Sequence, residues 1–180
     1  MPGRREKAFT IDELDPMRCL GYQNIVIHCG LNDIRKPSIQ TPDQVKSVYI
    51  NFKTRVEHIA MVNKRANIFV APMLPTDLPD VNRKCSIFNS FIFNDLVQFN
   101  SKISTISGFG EFVGLSGRLR RDFLADDNLH IHLNDSGMSL LAKLIKQSIF
   151  LRKQAHRSRT QVSGRTYANA LRGPPRPRPR

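Results

Sequence analysis

An α/β fold built on a parallel sheet is predicted by three observations. Residues 24–29 form an almost unbroken apolar run rich in Ile and Val (Asn24-Ile25-Val26-Ile27-His28-Cys29). Such a run suits a strand buried on both faces. A second short apolar run, Asn67-Ile68-Phe69-Val70-Ala71, lies one helix length downstream and is halted by Pro72. Between and after these runs, apolar residues recur at helical spacing, so the order reads strand, helix, strand, helix, strand.

Residues 1–20 carry no steady period. Phe9, Ile11 and Leu14 suit a short amphipathic turn, and Asp15-Pro16 interrupts it, so the segment reads as an irregular lead-in. The first strand then runs into Gly30-Leu31-Asn32-Asp33, where Gly30 permits a tight exit. In open α/β sheets, chemistry collects at the carboxyl ends of strands. An ordinary strand-to-loop turn uses the same residue types.

A helix is expected from Thr41-Pro42-Asp43, with Thr41 as N-cap and Pro42 at the first helical position. Val45, Val48, Tyr49, Phe52, Val56 and Ile59 give it one apolar face, and His58 near its end reads as a packed or solvent-facing side chain. After the second strand, the prolines at 72, 75 and 79 make residues 73–80 a loop. A helix over residues 82–103 carries Ile87, Phe88, Phe91, Ile92, Leu96 and Phe99 as a core stripe. Residues 109–113 are expected as a third strand, weakened by Gly108, Gly110 and Gly114. The last helix follows Asp135-Ser136-Gly137, with Leu140, Leu141, Leu144, Ile145, Ile149 and Leu151 as its stripe.

Charge divides the chain. Residues 138–180 hold 11 of the 28 Lys/Arg and none of the 15 Asp/Glu, which leaves the remainder near neutral. Residues 154–180, rich in Arg, Ser, Gly and Pro, are expected as a disordered basic tail. Its Arg157, Arg159, Arg165, Arg172, Arg176, Arg178 and Arg180 are candidates for electrostatic contact with nucleic acid or another acidic surface. Tyr167 is the tail's one aromatic residue, so base stacking and sequence specificity are not expected. Pro174 and Pro177 satisfy P-x-x-P, a pattern read by aromatic-lined grooves.

No apolar run reaches the ~20 residues of a membrane span, and the basic start lacks the apolar segment of a secretory signal. Cys19, Cys29 and Cys85 match no metal or disulfide spacing, so a reducing intracellular setting is expected, without cofactor or metal.

A second motif precedes the last helix: Asp126-Asp127-Asn128-Leu129-His130-Ile131-His132-Leu133. An Asp three residues before a His can orient the imidazole and stabilise its charged form. Taken with Gly30-Leu31-Asn32-Asp33, this pattern resembles the SGNH/GDSL hydrolase family over residues 21–153. The resemblance implies a three-layer α/β/α, flavodoxin-like parallel sheet acting on small esters. It makes Asn32 the oxyanion-hole donor, supported by Gly30 and Asp33. His130 becomes the base and Asp127 its carboxylate partner. The family's His-Leu-x-x-x-Gly spacing, counted back from Gly137, instead selects His132, which is kept as the alternative. The basic tail is similar to that of SGNH-like segments in invertebrate retroelement proteins.

One departure from the family pattern is decisive. Its nucleophilic Ser lies upstream of the G-x-N-D strand, whereas no Ser here precedes Ser38, and Thr10 is the only aliphatic hydroxyl before it. Acyl-enzyme chemistry then lacks its attacking atom. The resemblance also implies that the family's first strands are missing, which leaves the strand at 24–29 as an open edge prone to pairing or aggregation.

Overall fold

A computed structural model describes residues 9–126 and 132–171, the side chains of residues 99 and 156–171 excepted. Three parallel strands form one sheet in the order β1 (Asn24–Ile27), β2 (Asn67–Val70), β3 (Ile103–Thr105). Ile25 pairs with Ile68 and Ile68 with Ile103, so β2 is central and β1 is an edge. The helices are α1 (Leu31–Ile34), α2 (Pro42–Val62), α3 (Pro79–Phe91), α4 (Val97–Phe99) and α5 (Asp135–Leu171).

Side-chain alternation along the strands splits the core in two. Ile25, Ile27, Ile68 and Val70 pack with Val45, Phe52, Val56 and Ile59 of α2 and with Val81 and Phe88 of α3. Phe69 and Ala71, of opposite parity, pack instead with Leu141 and Leu144 of α5. Helices therefore cover both faces, as a parallel sheet requires. On the α5 face the cover stops short of β1, and Val26 remains 37% exposed.

Helix α2 begins as its sequence dictates. The Thr41 hydroxyl accepts from the Gln44 amide, the Gln44 side chain accepts from the Thr41 amide, and Pro42 occupies the first turn. Between α3 and α4, one π-type turn (Ile92–Leu96) inserts an extra residue. Asp95 lies in that turn. Its carboxylate accepts from Tyr49 Oη at 2.9 Å and Lys53 Nζ at 2.7 Å, joining the turn to α2. The loop after β2 is fastened to α3 by two asparagines. Asn89 bonds both the N–H and the C=O of Met73, and Asn82 does the same for Thr76.

Four expectations need correction. The third strand is Ile103–Thr105, while residues 109–112 form a 3₁₀ turn entered through Gly108 at φ 86°. Gly108 is required there because a Cβ would lie 2.6 Å from Leu144 Cδ2. The helical stripe also ends at residue 99 rather than 103, since three residues of β3 are too few to show their own alternation. The first strand, expected to be buried on both faces, leaves Val26 exposed, whereas the turn expected at Ile11 and Leu14 is present with both side chains buried.

The fourth correction concerns the tail, because α5 continues through residues 154–171, where a disordered segment is expected. No proline interrupts the chain between Asp135 and Pro174. Adding residues to a helix already nucleated and packed at Leu141 and Leu144 costs far less than starting one. Arg157, Arg159 and Arg165 lie on this helix. Arg172, Arg176, Arg178 and Arg180 lie outside the described residues, as does the P-x-x-P motif. Among the described residues, no helix is long and apolar enough to cross a membrane.

Candidate active site

The carboxyl ends of β1 and β2 open into a cavity of about 270 Å³. It is lined by His28, Cys29, Leu31, Met73, Leu74, His132, Leu133, Met138 and Leu141. Three stretches distant in sequence converge there: the exit of β1, the exit of β2, and the loop that leads into α5.

The β1 exit depends on Gly30, which holds φ 109° and starts α1. A Cβ at this position would lie 2.5 Å from Met73 Cε. Both the turn and the close approach therefore call for glycine. Just beyond, the Asp33 carboxylate is buried. It accepts from the Ile11 amide at 3.0 Å and from Lys36 Nζ at 3.1 Å. Asn32 Nδ2 donates to the Phe9 carbonyl at 3.0 Å. Both side chains thus fasten the lead-in over the first turn of α1. Asn32 does not line the cavity, although its neighbour Leu31 does.

His132 is brought in from the opposite side. Leu124 and Leu133 form an antiparallel bridge, and the Ala125 amide donates to the His132 carbonyl at 2.9 Å. Asn134 then turns the chain. Its Nδ2 donates to the carbonyls of Asp122 and Leu124, and its Oδ1 accepts from the Gly137 amide at 3.0 Å, which caps α5. Gly137 is needed in this turn, since a Cβ would stand 2.8 Å from the Phe123 carbonyl oxygen. Asp127 and His130 lie outside the described residues.

The electrostatics of the cavity favour neutral groups. Surrounding protein pushes the His28 imidazole below its ordinary value, although the residue keeps a solvent-facing surface. Burial, with a smaller contribution from the Asp33 charge, pushes the Cys29 thiol up to about 12. A thiol so raised is protonated at neutral pH and is no activated nucleophile. Among the described residues, no serine or threonine lines the cavity. Its walls suit a small apolar group beside two imidazoles that can accept or donate a hydrogen bond. Among the described residues, no group of three or more His, Cys, Asp or Glu could hold a metal ion.

Sequence reasoning assigned no role to His28 or Cys29. Both stand in the stretch that ends at Gly30, and a polar pair at the carboxyl end of a buried-type strand was the available signal.

No family model matches the chain, and no curated protein matches it. Among solved structures, it is similar in fold to "a putative platelet activating factor from Streptococcus pneumonia", with 19% identity and a TM-score of 0.56. The match covers 70% of this chain and 59% of that one, so the chain spans well under two thirds of the solved protein's length.

Proposed function

We propose that this chain is an SGNH/GDSL-type ester-hydrolase-like domain that does not turn over esters by itself. The observation that carries the reading is the meeting of His132 with the β1 exit in one cavity, although about a hundred residues separate them. The Gly-Leu-Asn-Asp exit and the His-bearing loop before the last helix stand in the order of that family's motifs. The fold likeness to the platelet activating factor structure supports the same assignment.

In this reading His132 is the imidazole of the site. It has the cavity position and the His-Leu-x-x-x-Gly spacing to Gly137, with His130 and Asp127 as the second arrangement. Asn32 Nδ2 gives one of its two N–H donors to the Phe9 carbonyl and does not line the cavity, so its side chain would have to turn inward to serve as oxyanion donor. A small ester is the substrate class that an apolar cavity of about 270 Å³ accommodates. With no serine before Ser38 and Cys29 held as a thiol, the described residues of the site offer no activated nucleophile.

The test is hydrolysis of p-nitrophenyl acetate, together with labelling by a fluorophosphonate. This chain is expected to show no turnover above its His132→Ala variant and no label. A version preceded by a strand bearing Gly-Asp-Ser is expected to gain turnover that His132→Ala removes. Failure of that gain in a folded protein would refute the hydrolase reading. Turnover by the present chain that depends on His132 or His130 would refute its silence.

A second reading rests on α5. From residue 138 onward the chain holds basic residues and no acid, and Arg157, Arg159 and Arg165 lie on a continuous helix. Non-specific, salt-sensitive binding of nucleic acid through this segment follows from counterion release. Binding that survives deletion of residues 154–180 would refute it.

A further inference from the structure

We propose that β1 pairs with β1 of a second copy of this chain, antiparallel, about a two-fold axis at Val26. The argument begins with the backbone. The carbonyls of Gln23 and Ile27 accept from the amides of Asn67 and Ala71 of the β2 side. Alternation along a parallel strand then turns the N–H and C=O groups of Asn24, Val26 and His28 away from β2. Among the described residues, no strand and no backbone hydrogen bond meets them. The described part of the lead-in, residues 9–20, packs on the α2 side of this edge through Ile11 and Leu14 and supplies no ladder bonds.

The edge also lacks the devices that keep edges single. Lysine, proline, bulges or inward charges normally block a further strand. Residues 19–32 contain no Lys, Arg, Asp, Glu or Pro. Instead the flank presents Val26 at 37%, Leu20 at 46% and Tyr22 at 65% exposure. Two such edges meet without like-charge repulsion.

The edge is self-complementary in one register. With the axis at Val26, that residue faces its own copy, and Asn24 faces His28 in both directions. Because 24, 26 and 28 share parity, these side chains stand on one face, apolar against apolar and amide against imidazole. They are also the residues whose backbone groups point outward, so each facing pair can exchange two hydrogen bonds. The result is a continuous six-stranded sheet with β3 at both outer edges. This is the isologous contact that a closed dimer requires. A ladder this short buries less than a standard interface of ~1,600 Å², so the dimer should dissociate on dilution.

Sedimentation velocity over a dilution series tests the proposal. The full chain is expected to move from about twice the monomer mass towards the monomer as it is diluted. Val26→Lys places a charge on the axis, and Val26→Pro removes an outward N–H that β2 does not use. Both are expected to be monomeric with an unchanged far-UV spectrum. Amide exchange at Asn24 and Val26 should slow with concentration in the wild type alone. A folded wild type that is monomeric at every concentration would overturn the proposal, as would a Val26→Lys variant that still dimerises. If the wild type precipitates, rescue by Val26→Lys supports edge pairing, and unchanged precipitation overturns it.

Discussion

Replacing Gly30 with alanine tests the geometry on which the site is built. At φ 109° and ψ −18° the residue lies outside the region that L-residues occupy comfortably. Backbone strain of this kind costs about 1–3 kcal/mol. The new Cβ would also meet Met73 Cε at 2.5 Å, with Phe88 Cζ at 3.5 Å and Ile11 Cδ1 at 3.6 Å behind it. A methionine end can swing aside, but the Met73 backbone is held by Asn89 on both its N–H and its C=O. Displacement must therefore be absorbed by the side chain within a packed core, at about 1 kcal/mol or more. The sum is a loss of about 2–4 kcal/mol, read from urea unfolding followed by far-UV circular dichroism. Met73→Ala alone should cost about 2–5 kcal/mol through its cavity. The double variant should cost less than the sum of the two, because Met73→Ala removes the clash while the strain remains. A Gly30→Ala variant within about 0.5 kcal/mol of wild type would refute this account of the β1 exit.

Other predictions follow from neighbouring contacts. Asp33→Ala strands the buried Ile11 amide and should cost about 1–3 kcal/mol, with loosening of residues 9–14 visible in amide exchange. Lys53, then Tyr49, hold the Asp95 carboxyl below its ordinary value. Its stabilising effect is therefore present above the unfolded value of 3.8 and lost as pH falls through the lower native one. Both partners of the ion pair are about a third exposed, so the effect should stay below about 1 kcal/mol. The gap in melting temperature between wild type and Asp95→Asn should accordingly close in acid, and a gap that widens there would contradict the assignment. Burial raises Cys29 and Cys85 alike to about 12, so both should react slowly with Ellman's reagent at pH 8 until denaturant is added. Rapid native modification of either would show that its surroundings are not as described.

Sequence and structure agree most closely where the local signal is long or chemically specific. The apolar face of α2 and its Thr41–Pro42–Gln44 start encode both the helix and its buried side. Strands β1 and β2 follow from short runs of Ile, Val and Phe bounded by Gly30 and Pro72. The third strand did not follow, because Ile103-Ser104-Thr105 is strand only through pairing with Ile68, Phe69 and Val70. The length of α5 was missed for a related reason. Composition speaks to whether residues 154–171 can bury a core, and not to whether they can extend a helix that is already formed.

At the site, the sequence by itself determined the two motifs, the absence of a serine before Ser38, and the pull between His130 and His132. It also determined that Gly30 ends a strand, although the burial expected on both of its faces fails at Val26. Only the tertiary structure decided that His132 shares a cavity with His28 and Cys29, that Asn32 and Asp33 hold residues 9–11, and that Val26 lies on an open edge. The physical reason is range. Apolar periodicity and turn chemistry act over a few residues and are written locally. Which side chains converge at a strand end depends on crossover connections, and these bring together residues that the chain keeps a hundred positions apart.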